Sequence, residues 1–201
     1  TSSPCMDRNL NRRVRVHWVG SLPQHEVVRE RLAALQLVRT PYLALIYDLV
    51  VSEGRVGIIE EELGPSANAD GSALLRLYQF CTGLASLHER CLAHGALDTD
   101  CFRIGQLNSG RLCNLAFAHP RLDDPTSDIP ALFSRLSAMG ATAVEDDAFR
   151  RLVTALANRV APVAVVGSLR DRLKALLLFD KHRALLNWRG TPVELGSTNR
   201  R

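Results

Sequence analysis

The sequence predicts an α+β chain, with strands gathered in the first third and helices through the rest. Three observations predict it. Val14, Val16 and Trp18 alternate with Arg15 and His17, the period of two expected of a strand. Two apolar runs, 43–51 and 55–63, flank Ser52-Glu53-Gly54, a hairpin signal that makes the sheet antiparallel. Leu74, Leu77, Cys81, Leu84 and Leu87 recur at three- and four-residue intervals, the stripe of a helix buried on one face.

The elements follow in order. Residues 1–19 read as an exposed polar turn, DRNLNRR, leading into the strand VRVHWV. Residues 24–39 read as a helix: Val28, Leu32, Leu35 and Val38 share a face, Pro23 suits its start and Pro41 ends it. The hairpin strands come next, then the turn-rich linker GPSANADG at 64–71. The helix over 72–89 has Ser72 as its N-cap. SDIPALFSRLSAM starts a further helix, with Ser127 as N-cap and Pro130 tolerated in the first turn. Helices over 146–160 and 168–187 are joined by APVAVVG.

Length and composition exclude several classes. A chain of 201 residues makes one domain, or one with a small appendage. Its 46% hydrophobic and 23% charged content is that of an ordinary globular protein. The apolar runs at 161–166 and 175–179 fall far short of the ~20 residues that span a bilayer, and the N-terminal stretch lacks a secretory apolar segment. The expectation is a cytoplasmic protein with no direct membrane insertion. The chain opens on Thr1, expected of a trimmed or processed chain. The net charge of +4 is dispersed without a basic block, which argues against nucleic-acid binding. Lys174 and Lys181 are the only lysines, a bias expected of a GC-rich genome. The five cysteines (Cys5, Cys81, Cys91, Cys101 and Cys113) are odd in number with no C-x-x-C pair, so they read as core thiols rather than a disulfide framework or zinc site. The six histidines show no metal-ligand spacing with carboxylates, and no G-x-S-x-G elbow is present.

One stretch carries more. In GLASLHERCLAHGALDTDCFRIGQLNSGRLCNLAFAH, residues 83–119, Gly83, Leu84, Ala85, Leu87 and His88 match a helix ending G-L-x-Y-L-H. His94, Leu97 and Phe102 match the apolar frame of an H-R-D-L-x-x-x-N loop, and Phe117 matches the middle of D-F-G. The chain thus resembles eukaryotic-type protein kinases, loosely from about Asp7 to Leu186 and specifically over 80–136. The resemblance implies a two-lobe fold: a truncated small lobe at 1–63, a helical large lobe at 64–195 and a tail at 196–201. It makes VRVHWV the V-A-x-K strand, 24–39 helix C and SDIPALFSRLSAM the central large-lobe helix. A glycine-rich loop is missing from residues 1–13, and the activation segment is largely deleted.

The working groups are missing too. The resemblance puts His17 at the nucleotide-anchoring lysine, Ala96 at the catalytic aspartate, Cys101 at the metal-binding asparagine and Ala116 at the D-F-G aspartate. The helix C glutamate position falls on Arg31, with Glu30 beside it. Phosphoryl transfer on this fold needs cations on the phosphates, metal ligands and a group to orient the hydroxyl. None of these remains at its position. Arg15 stands at the small residue lining the adenine pocket, and the run Glu60-Glu61-Glu62 stands at the hinge. Either this run is a solvated rim, or Glu60 or Glu61 pairs with Arg15 and fills the pocket. What persists is architectural. Leu35, His94 and Phe117 match a column joining the lobes, and Asp128 matches an aspartate that bonds backbone near the loop histidine.

The resemblance therefore implies a pseudokinase of bacterial type: catalytically inactive, without cofactor or metal, and acting as a regulatory scaffold. Its partner would be a protein: a kinase, a phosphatase or a phosphopeptide-reading module. Two alternatives stay open. The domain could bind nucleotide as a structural or switching ligand, or Asp98 could support an unconventional transferase.

Overall fold

The computed structural model describes residues 2–8, 11–65, 72–97, 100–105, 108–115, 123–158 and 162–189. It is a mixed α+β chain built on a small antiparallel sheet. Strands β1 (Ser2–Asp7), β2 (Arg12–Ser21), β3 (Ile46–Ser52) and β4 (Arg55–Glu61) pair in the order β1-β2-β4-β3. The hairpin between β3 and β4 turns on Glu53 and Gly54, both at positive φ (51° and 72°). Two consecutive left-handed residues give the turn whose twist matches the strands it joins.

Strand β1 corrects the expected exposed turn. SSPCMD has no apolar alternation to announce it, yet it pairs with β2 from Ser2↔His17 to Asp7↔Arg12. Pro4 fits because β1 is an edge, where a missing N–H can face outward. The two faces of β2 diverge. Val14, Val16 and Trp18 lie across from Glu61, Ile59 and Gly57, while Arg15 and His17 lie across from Glu60 and Ile58. Ile58 and Val56 join the main core together with Val28, Leu32 and Leu35 of helix α1 (His25–Gln36). Arg15 and His17 therefore share the inner face with the core, not the outer one.

Helix α1 follows a single 3-10 turn at Leu22–Gln24. It ends at Gln36, short of the expected boundary at Arg39, with Leu37 as its C-cap and Val38 beyond it. The next segment is not the start of β3, as the apolar run 43–51 suggested. Instead Leu112 N–H donates to Tyr42 O (2.8 Å) and Ala44 N–H to Leu112 O (2.7 Å). This splices residues 42–44 onto a separate small hairpin, β5 (Phe102–Ile104) and β6 (Gly110–Leu112).

Helix α2 (Ala73–His88) is the pillar beneath the β5–β6 hairpin. Leu77, Phe80, Cys81, Leu84 and Leu87 are fully buried on it. Ser72 precedes it but makes no side-chain capping bond, contrary to expectation. Two polar residues on α2 hold the β5–β6 turn. Arg76 donates to both the carbonyl and the side-chain oxygen of Asn108 (2.8 Å each), and Gln79 accepts from Gly110 N–H (3.0 Å). Gly83 is needed for close approach: a Cβ there would sit 2.8 Å from Tyr42 O, so a larger residue would push the helix off the 42–44 segment.

Three further helices follow among the described residues: α3 (Ile129–Ala138), α4 (Asp147–Ala157) and α5 (Val165–Arg189). Ser127 does not cap α3. A 3-10 turn at Pro125–Asp128 comes first, capped by Asp124, whose carboxylate accepts from Thr126 N–H (3.0 Å). Asp146 caps α4 by accepting from Phe149 N–H (2.8 Å), and it also receives Arg172 of α5. The Arg172 guanidinium and the cap bond hold its carboxyl down at about 2. Helix α5 begins earlier than the expected Ser168 and buries Val165, Val166, Leu169 and Leu173. Among the described residues, no helix is long and apolar enough to cross a membrane.

Candidate functional site

Charged side chains meet between the inner face of the sheet and the β5–β6 hairpin. On β2 and β4 the register sets Arg15 directly across from Glu60. The contacts, however, run diagonally. His17 Nε2 lies 2.8 Å from Glu60 Oε2, and Arg15 Nη2 donates to Glu62 Oε1 (2.9 Å). Diagonal neighbours on one sheet face are within reach of long side chains. Glu61 turns to the hairpin instead. Its Oε2 accepts from Arg111 Nη1 (2.6 Å) and from Leu45 N–H (3.1 Å).

This corrects the expected partner of Arg15, which is Glu62 rather than Glu60 or Glu61. It also settles the character of the acidic run. Glu60 and Glu61 are only 3% and 8% exposed, so the run is no solvated rim. Glu61 and Glu62 each meet an arginine, which is the condition for tolerating buried charge, and Glu60 has the His17 ring beside it. Arg15 and His17 come from β2, and Arg111 from β6. The layer thus links the sheet to the part of the chain built on α2.

Below it sits a histidine with both ring nitrogens satisfied. His94 is wholly buried, its Nδ1 accepts from Ala96 N–H (3.3 Å) and its Nε2 lies 2.9 Å from Cys113 O. With Nδ1 accepting, Nε2 is placed to donate to the carbonyl. The arrangement braces the loop and leaves no lone pair for general-base work. Asp128 reaches the same loop from the end of its 3-10 turn. Its carboxylate accepts from His94 N–H (2.7 Å), Gly95 N–H (2.8 Å) and His88 Nε2 (2.9 Å). Burial alone would raise its pKa. The bonds from His88, His94 and Gly95 outweigh burial and hold it below the ordinary 3.8.

The other expected positions divide into those the structure describes and those it does not. Cys101 is fully buried just before β5, and Ala96 is half-buried. Leu35 is buried in α1 and lines a cavity of about 360 Å³ with Leu32, Leu43, Ile46 and Leu115. Glu30 is exposed and Arg31 half-buried on α1. Ala116, Phe117 and Asp98 lie outside the described residues. Among the described residues, no three of His, Cys, Asp and Glu cluster to hold a metal ion.

Sequence reasoning missed three participants. Glu62 was obscured because a run of three glutamates does not say which of them faces which strand. Arg111 was invisible without the β4-to-β6 contact, which no local pattern announces. His88 was matched as part of a motif, while its bond to Asp128 spans 40 positions.

No protein-family model matches this chain. No curated protein matches it either.

Proposed function

We propose that this chain is a kinase-like two-lobe domain that does not transfer phosphate and acts as a protein-binding regulatory scaffold. One observation carries the reading: the inner face of the sheet, where the resemblance puts the nucleotide, is occupied by the chain's own ion pairs. The resemblance places nucleotide phosphates beside His17 and the adenine beside Arg15. Both side chains are instead engaged with Glu60 and Glu62. A nucleotide entering there would have to separate paired, half-buried charges, and its phosphate oxygens would face the carboxylates of Glu60, Glu61 and Glu62.

The two-lobe assignment is supported by the order strand, helix, strand, strand around one sheet and by α2 carrying a short hairpin next to it. It is also supported by Asp128 bonding the backbone at His94, the contact that the resemblance implies for these positions. With alanine at 96 and cysteine at 101, neither a hydroxyl-orienting carboxylate nor a metal-binding amide stands at its position in the loop. Electrostatic stabilisation of this kind is commonly the largest part of such catalysis, at about 3–4 kcal/mol for one donor. A domain that keeps the frame without these groups offers its surface, and its partner is a protein of the signalling type.

The reading is tested by assaying ATP hydrolysis and transfer to protein substrates with Mg²⁺ and with Mn²⁺. The expected result is no turnover above the blank. Turnover abolished by Asp98→Asn would overturn it in favour of a transferase.

A further inference from the structure

A cavity of about 360 Å³ opens beside the C-terminal end of α1. Its origin lies in the local chain path. Leu32 and Leu35 project from the buried face of α1, and the helix stops at Gln36. The chain then runs through Val38, Arg39 and Thr40 and returns as Leu43 to Ile46, all of which border the cavity. Backbone bonds to Leu112 anchor residues 42 and 44 to β6 rather than to α1. Ala44 contributes only a methyl group to the wall. Close-packed interiors leave few voids larger than a water molecule, so a hollow of this size is room for a ligand. It lies at the small end of the ~300–1,000 Å³ that ligand sites span.

The lining is apolar apart from a polar rim. Leu32, Leu35, Leu43, Ile46 and Leu115 form the walls, and Leu45, 54% exposed, leaves them open to solvent. Gln36, Arg39 and Thr40 supply the rim. Arg39 is exposed and makes no hydrogen bond or ion pair among the described residues. Thr40 Oγ1 accepts from Tyr42 N–H (3.4 Å), which leaves its own proton to donate. No Asp or Glu stands among the described lining residues. Glu61 reaches the lining through Leu45 N–H, but Arg111 already holds that carboxylate at 2.6 Å. The C-terminal end of α1 carries about half a negative charge, which the full charge of Arg39 exceeds. An apolar hollow with one unpaired cation at its rim is the complement of an amphipathic acid.

We propose that this cavity binds a medium-chain monocarboxylate, with its alkyl chain among Leu32, Leu35, Leu43, Ile46 and Leu115 and its carboxylate on Arg39 and Thr40. The tail supplies affinity by leaving water, roughly tenfold for each two methylenes buried. The head supplies orientation through a charge-assisted bond to the guanidinium. Seated there, the ligand joins α1 to the segment that β6 anchors, so its binding holds the helix against the rest of the chain.

The test titrates the full chain by isothermal calorimetry with octanoate and decanoate, at neutral pH and below their micellar range. The expected result is one saturable site that binds decanoate roughly tenfold more tightly than octanoate. Decanol, which has the tail without the charge, should bind at least about tenfold more weakly than decanoate. Arg39→Ala should remove that difference and leave decanol binding unchanged. Leu45→Glu should repel decanoate. Both substituted positions are exposed, so neither change empties the core. The proposal is overturned by the absence of a saturable site, by affinity that ignores chain length, or by equal binding of decanol and decanoate. A dimer in size-exclusion chromatography that Leu45→Glu dissociates would also overturn it, because a second copy would then cover the opening. None of these outcomes depends on whether the chain binds nucleotide.

Discussion

Replacing Asp128 with alanine is expected to cost about 3–5 kcal/mol of folding stability, because one buried carboxylate serves three donors. Alanine would leave His94 N–H, Gly95 N–H and His88 Nε2 without their acceptor, in a site where water does not replace it. Asparagine is a milder change. Its single side-chain oxygen can replace one lobe of the carboxylate, but its amide would face a donor. The loss is expected at roughly 1–3 kcal/mol. The pH dependence has a definite sign. The folded pKa of Asp128 lies below its ordinary value of 3.8, so its stabilising contribution is complete above that value. It declines as the pH falls through 3.8 towards the lower folded pKa. Denaturant unfolding of wild type and Asp128→Asn should therefore show a gap that narrows across this acid range. A gap that stays constant would mean that the carboxylate charge is not what the loop depends on.

Phe102→Ala is expected to be as severe, at about 3–5 kcal/mol. The ring is fully buried, meets Phe80 edge-to-face at 5.5 Å, and belongs to the core that holds β5 and β6 on α2. Its far edge lies under Gly110, where an added Cβ would come within 2.2 Å of the ring. Gly110→Ala alone should therefore destabilise by roughly 1–3 kcal/mol through overpacking. In a Phe102→Leu background the ring edge is gone, and the same Gly110→Ala change should cost much less. The four unfolding free energies form a double-mutant cycle, and strong coupling is the expected result. Additivity within about 0.5 kcal/mol would mean that the strand moves to admit the methyl group.

Much of the fold was legible wherever a local period existed. The stripe of α2 and the inner residues of α1 repeat at helical spacing, and Ser52-Glu53-Gly54 announces its own turn. Strand β1 was not legible because an edge strand needs backbone pairing rather than an apolar face. Residues 43 and 44 read as the start of β3 because they are apolar, but their pairing is with β6, which only the folded chain brings near. Ser72 and Ser127 were natural capping candidates by residue type, yet neither caps its helix. Asp124 caps the turn before α3, and Asp128 is drawn away to the His94 loop.

The candidate site divides along the same line. The positions of Arg15 and His17 on one face of β2 follow from alternation alone, and both take part in the ion-pair layer. Which glutamate each would take depends on register and on the diagonal reach of the side chains. The role of Arg111 depends on a contact between elements 50 positions apart.

The central claim is that the nucleotide site implied by the resemblance is filled by Arg15, His17 and Arg111 on Glu62, Glu60 and Glu61. The most direct measurement is a thermal-shift titration of the full chain with ATP and ADP, with and without Mg²⁺ or Mn²⁺. A ligand at about 100 times its Kd stabilises the folded state by about 2.7 kcal/mol, or roughly 5–11 °C in Tm for a chain near this size. The account predicts no shift at millimolar nucleotide. A saturable rise in Tm of several degrees would contradict it, because the ion pairs would then have to give way to a ligand that they are argued to exclude.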